Sequence, residues 1–132
     1  MASIDEHEKT VKELIEDIEE KIRLNIVVKR QKLIGFAVSE ASTNLFAVFL
    51  HKNKLISQEF HINHSFFASE KRAEKVFNFD FKDKKEILNI LVKIENLRNR
   101  LCYGREKEAK DVNEAIQLLF KLKNILEENQ ND

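Results

Sequence analysis

Four histidines, one cysteine and a run of arginines are the residues of this 132-residue chain whose types and spacing could do chemistry. His61 and His64 stand three apart, a spacing that sets two imidazoles on one helix face, half of a metal shell. The nearby Glu59 and Glu70 are not at motif spacing. No Glu-x-x-His repeats elsewhere, as a di-iron bundle requires. The pair therefore reads as capping or surface histidines, and no metal or other cofactor is expected. His7 and His51 stand alone in the sequence and receive no role. Cys102 has no partner for an intramolecular disulfide. Arg100 and Arg105 beside it favour a thiolate, but no Ser-x-x-Lys, Gly-x-Ser-x-Gly or cysteine–histidine arrangement accompanies it. An inert thiol at a helix end is the expectation.

The informative segment runs from Glu95 to Arg105, Glu-Asn-Leu-Arg-Asn-Arg-Leu-Cys-Tyr-Gly-Arg. Leu97 and Leu101 mark a buried stripe, so Arg98 lies beside that stripe rather than opposite it. An arginine at the margin of an apolar face must find an anion or an interface. Residues 95–110 carry five bases and three acids, a surplus that the negative end of a helix would welcome. Helix electrostatics leaves unexplained the polar pair Arg98-Asn99 at the core edge, with the only tyrosine, Tyr103, following it. Arg98, Arg100 and Arg105 are the candidate phosphate ligands.

These side chains must be positioned by helices. Two glycines and no proline remove the usual punctuation of hairpins and phosphate loops, which argues against sandwiches, barrels and P-loop enzymes. Ser3 with Glu6 is a capping-box pattern, and Val11, Leu14, Ile15, Ile18 and Ile22 follow at helical spacing, predicting a helix over 3–24. The β-branched segment Asn25-Ile26-Val27-Val28 marks a break, with a helix continuous through it as the alternative. A second helix, 29–52, is apolar on nearly every side and must be surrounded by other helices or by a partner chain. A third helix is expected over 62–77, then a loop at 78–81 pinning two phenylalanine rings, then a fourth helix over 82–102. Gly104 sits where a left-handed terminating residue belongs. Asp111 with Glu114 starts a fifth helix in a second capping-box-like pattern, and residues 127–132 are expected to fray. The fold class is all-α, an up-and-down antiparallel bundle of four to five helices forming a single domain over 1–132.

Lys+Arg and Asp+Glu are each 23, so overall charge advertises neither nucleic acid nor membrane. Residues 1–20 hold eight acids against two lysines, whereas residues 21–32 hold five bases and no acid, an asymmetry that suits the dipole of the first helix. The start of the chain is acidic and lacks the apolar stretch of a signal peptide. The run 33–50 carries Ser39, Glu40, Ser42, Thr43 and Asn44 at its middle, which argues for a core helix rather than a membrane span. A cytoplasmic location and no membrane partner are expected. The surplus apolar surface of the second helix predicts a homodimer.

Arg98-Asn99-Arg100-Leu101-Cys102-Tyr103-Gly104, near the end of the penultimate long helix, resembles the signature of HEPN domains: an arginine, a polar residue that is usually asparagine, and a histidine a few residues on. The order of helices is similar too, over roughly residues 5–127. The resemblance implies a helical bundle that dimerises, with the motifs of both subunits meeting at one cleft. Many members are metal-independent ribonucleases, often toxins paired with a small nucleotidyltransferase, and others are non-catalytic binding modules. It further implies that Arg98 holds phosphate, that Asn99 orients the site and that Tyr103 takes the place of the family histidine. Histidine titrates near ~6.5 and exchanges protons at neutral pH, whereas tyrosine titrates near ~10. Cleavage through a 2′-hydroxyl needs a base and an acid. The substitution therefore predicts weak or absent ribonuclease activity, unless Tyr103 is strongly perturbed or His61 or His64 substitutes in space. The leading expectation is a homodimer that binds nucleotide, RNA phosphate or a nucleotidyltransferase-type partner through Arg98–Arg105. An active endoribonuclease using Arg98, Asn99 and Tyr103, and a plain helical scaffold, are the alternatives.

Overall fold

The computed structural model describes residues 3–130, which form five α-helices and one short 3-10 turn, with no strand among the described residues. The helices are α1 (Ile4–Arg23), α2 (Gln31–Lys52), α3 (Glu70–Val76), α4 (Lys84–Cys102) and α5 (Ala109–Gln130). Ser3 caps α1 by accepting a hydrogen bond from the Glu6 backbone N–H at 3.1 Å, so the sequence pattern acts as expected there. The break that follows turns on Asn25, whose φ of 56° is left-handed, a conformation asparagine tolerates better than most residues.

α2 is the centre of the bundle. It packs on α1, α4 and α5 together, which accounts for its apolar character on nearly every side. It is long and apolar enough to cross a membrane, yet most of it is buried inside the bundle. Gly35 faces Leu101 and Ser39 reaches Glu95, so α2 and α4 run antiparallel. Arg100 with Asp111 and Glu86 with Lys121 set α5 antiparallel to α4. Gly35 has a packing reason: a Cβ there would stand 3.0 Å from the Leu101 Cβ and 3.2 Å from the Cys102 Sγ. Aromatic rings fill the other end, where Phe46, Phe67 and Phe77 are fully buried. Phe46 meets Phe77 edge-on at 5.1 Å, a favoured ring geometry.

Three boundaries differ from expectation. The third helix divides into a 3-10 turn, His64–Phe67, and α3. Ser69 is extended, with φ −154°, and its hydroxyl accepts from the Arg72 N–H, so a serine cap restarts the helix inside the apolar pattern. α5 begins at Ala109, upstream of Asp111, whose carboxylate is engaged by Arg100 at 2.8 Å. The C-terminal segment stays helical to Gln130 because Asn129 is buried and donates to the Lys82 carbonyl at 3.2 Å; residues 131–132 lie outside the described residues.

One clamp closes the end of the bundle that carries the arginine segment. The buried Gln31 side chain donates to the Lys107 carbonyl at 3.0 Å and accepts from the Lys107 N–H at 2.6 Å. The start of α2 and the α4–α5 loop are thereby one piece.

Gly35→Val should destabilise the fold by about 1–3 kcal/mol, the usual range for overpacking, because Leu101 and Cys102 must both move. Chemical denaturation monitored by circular dichroism measures the change.

Candidate functional site

The middle of α2 carries a polar set on an otherwise apolar helix. Ser39 and Glu40 project toward α4 and toward the 3-10 turn, where they meet Glu95 and His64. The His64 Nε2 donates to the Glu40 Oε1 at 2.7 Å, and its Nδ1 reaches the Glu95 Oε2 at 3.1 Å. The Ser39 hydroxyl donates to the same Glu95 oxygen at 3.2 Å. The other oxygen of Glu95 accepts from the Arg98 Nη1 at 3.2 Å. Arg98 and Glu95 lie three apart on α4, one turn of a helix, and so share a face.

Two cations and two carboxylates thus form a closed, half-buried quartet. Hydrogen bonds to Glu40 and then to Glu95 push the His64 pKa up to about 9 against the opposing effect of burial. Glu40 is held below the usual carboxylate range, first by its hydrogen bond from His64. Burial works against ionisation of Glu95, but His64 and the Arg98 charge outweigh it and keep its pKa low. At neutral pH His64 is therefore an imidazolium with both ring N–H groups engaged. It is not available as a general base, because the proton it would accept is already on it.

The expectation that Arg98 would meet an anion or an interface resolves inside the chain, on Glu95. Its Nε is buried and has no hydrogen-bond partner, an arrangement that costs about 1–3 kcal/mol for a group left unpaired. Arg100 is drawn away to Asp111. Asn99 is exposed on α4 and takes no part in the quartet. Tyr103 is 63% exposed at the end of α4, and Arg105 is exposed in the loop beyond the left-handed Gly104. The motif residues are accordingly divided: Arg98 faces into the bundle, whereas Asn99, Tyr103 and Arg105 face outward. Burial raises the Cys102 pKa despite the opposing charge of Arg98, so the thiolate suggested by the neighbouring arginines is disfavoured. Its Sγ donates to the Lys32 carbonyl at 3.3 Å.

The histidines are regrouped. His61 and His64 do not share a helix face, since His61 precedes the 3-10 turn on an extended segment. His7 and His51, 44 positions apart in sequence, stack with ring centroids 6.1 Å apart. A cleft of about 200 Å³ on the outer face of α2 is lined by His7, His51, His61 and His64, every histidine of the chain. No local spacing could reveal this, because the gathering depends on α1 folding back along α2. The Glu40–Glu95–His64 association was equally invisible, for its members come from three elements. Only the polar interruption Ser39-Glu40 in an apolar run signalled that α2 had something to satisfy.

At this end of the bundle the charge is one-sided. Residues 21–36 and 98–111 together hold ten Lys/Arg and three Asp/Glu, a net of +7 in a chain of net zero. The Gln31 clamp and the Gly35–Leu101 contact place both segments at one pole. Lys29, Arg30, Lys32 and Arg105 are exposed there, and Leu33 and Phe36 stand 55% and 50% exposed on the same stretch of α2.

The quartet gives stability a pH signature. His64 is raised above its unfolded value of 6.5 to about 9, so its contribution is fully present below pH 6.5 and is lost as pH rises through 9. Glu40 and Glu95 are lowered from 4.5, so theirs is present above pH 4.5 and is lost as pH falls further. Raising pH from 6 to 10 should lower stability by about 1–2 kcal/mol, reduced for solvent screening of a partly exposed group. Urea denaturation across that range checks this, and the alkaline loss should vanish in His64→Gln.

No family model, curated protein or solved structure matches this chain.

Proposed function

We propose that this chain is a HEPN-like homodimer that binds a phosphate-bearing ligand, nucleotide or RNA, without cleaving it. The basic pole carries the reading. Lys29, Arg30, Lys32 and Arg105 are exposed on the same two segments that expose the rings of Phe36 and Tyr103, and cations interleaved with aromatic faces suit a phosphate backbone with stackable bases. Binding is shifted along the motif: Arg105 and the cations of the α1–α2 turn hold phosphate, while Arg98 organises the helix face behind them through Glu95. Cleavage lacks a base, since Tyr103 replaces the family histidine and His64 is occupied by two carboxylates. Leu33 and Phe36 are the exposed apolar surface that a second copy would cover, which would set two basic poles beside one cleft. A nucleotidyltransferase-type protein is the partner that the HEPN resemblance implies.

A second reading, a helical interaction scaffold whose motif has become structural, is favoured by the Arg98–Glu95 contact. Fluorescent single-stranded RNA separates the two. The binding reading expects association that weakens with salt by roughly 0.7 log units per phosphate contact for each log unit of salt. It also expects the double variant Arg30→Glu/Arg105→Glu to lose about tenfold or more in affinity at low salt, and intact RNA after incubation with EDTA. Salt-independent or absent association leaves the scaffold, whereas cleavage abolished by Arg98→Ala would establish the nuclease instead.

A further inference from the structure

α1 and α5 both pack on α2, and a groove of about 370 Å³ lies between them. It shares no lining residue with the basic pole or with the quartet. Its floor is apolar: Val11 and Ile15, one turn apart on α1, and Leu45 and Val48 on α2. Glu8 pairs with Lys52 at 3.3 Å, so α1 and α2 run antiparallel, which brings Val11 level with Val48 and Ile15 level with Leu45. The rim is acidic. Glu8, Glu16 and Glu19 stand exposed on the α1 lip and Glu127 on the α5 lip, against two lysines, Lys12 and Lys123, a net of −2. Neither lysine is a spare cation: Lys12 lies 4.0 Å from Glu16 and Lys123 pairs with Glu127 at 2.6 Å, each on its own helix. Beyond the rim the acidity continues, since residues 1–20 hold eight acids against two lysines.

Carboxylates around an apolar floor repel a phosphate backbone and favour a ligand that is apolar on one side and cationic beside it. Both walls are helices, whose backbone groups are engaged within their own turns. An extended peptide would therefore find no strand edge to pair with, whereas a helix satisfies its own backbone. The α1 lip from Glu8 to Glu19 is roughly 16 Å long at ~1.5 Å per residue, about three turns. We propose that this groove is the docking site for a basic amphipathic helix of a partner protein. The apolar stripe of that helix enters between α1 and α5 onto Val11, Ile15, Leu45 and Val48, and its lysines or arginines meet the glutamates of the two lips. A second copy of this chain is a poorer fit. Its exposed large apolar side chains, Ile22, Leu24, Leu33, Phe36 and Tyr103, are divided among α1, the turn after it, α2 and the end of α4, and do not form a stripe on one exposed helix.

The probe is a fluorescent peptide of leucine and lysine, about fourteen residues long, with its leucines on one helical face. At physiological salt the full chain should bind it saturably, and the methyl NMR signals of Val11, Ile15, Leu45 and Val48 should shift while that of Leu33 stays in place. A scrambled peptide of the same composition should bind about tenfold more weakly or worse, and a counterpart with glutamate for every lysine should not bind. Glu16→Lys/Glu19→Lys alters exposed residues only, so the fold should survive, as circular dichroism checks. That double variant should lose about tenfold or more in affinity for the leucine–lysine peptide. The proposal is overturned by the absence of saturable binding, by equal affinity for the scrambled peptide, by unchanged affinity in the double variant, or by shifts that miss the groove. Groove methyl signals that move when the chain alone is concentrated would make the occupant a second copy and overturn it too.

Discussion

Charge closure on the face of α2 is the constraint on which the rest of the structure depends. A helix apolar on nearly every side must still dispose of Glu40, and α4 must dispose of Glu95 and Arg98 at the edge of the same interface. None of the three can enter a core unpaired, because a buried ion without a partner forfeits its hydration. His64 resolves the conflict by bonding both carboxylates at once. This in turn dictates where the 3-10 turn lies, since His64 must reach α2 and α4 together. The serine-capped restart at Ser69 follows from that placement. The helix expected over 62–77 gives way to two short pieces, because an uninterrupted helix would have to satisfy the register of its apolar residues and the position of His64 with one straight axis.

The same closure changes the meaning of the arginine motif. Read along the sequence, Arg98 is a cation searching for a counter-ion; in three dimensions the counter-ion is three residues upstream on its own helix. The outward members, Asn99, Tyr103 and Arg105, stay exposed, and the loop that carries Arg105 is tied to the start of α2 through Gln31 and Lys107. The net charge of zero conceals a dipolar molecule, with an acidic outer face on α1 and a cationic pole where α1 ends, α2 begins and α4 meets α5. A sum over composition cannot disclose such polarity. The fold must first bring residues 21–36 beside 98–111.

The helical architecture was legible because periodicity and capping are local. The Ser3 cap, the break before α2, and the 3-4 spacing of Ile87, Ile90, Ile94, Leu97 and Leu101 are written within one or two turns, and each lies where the pattern places it. Local signals misled where a long-range contact intervened. Asp111 resembles a cap but answers to Arg100, and Asn129 resembles a fraying tail but is held by the start of α4. The site was less legible for the same reason. His7 and His51 have nothing near them in sequence to suggest association, and His64 carried a spacing signal toward His61 that the fold does not use.

The double hydrogen bond of Gln31 to Lys107 has a mechanical consequence. A loop of five or six residues bearing Tyr103 and Arg105 would ordinarily sample many shapes and would lose that freedom on meeting a ligand. Here both the N–H and the C=O of its penultimate residue are spoken for by a side chain rooted in the central helix. The entropy of ordering is already spent during folding, and whatever docks at this pole meets a surface of fixed contour that tilts only as far as α2 itself tilts.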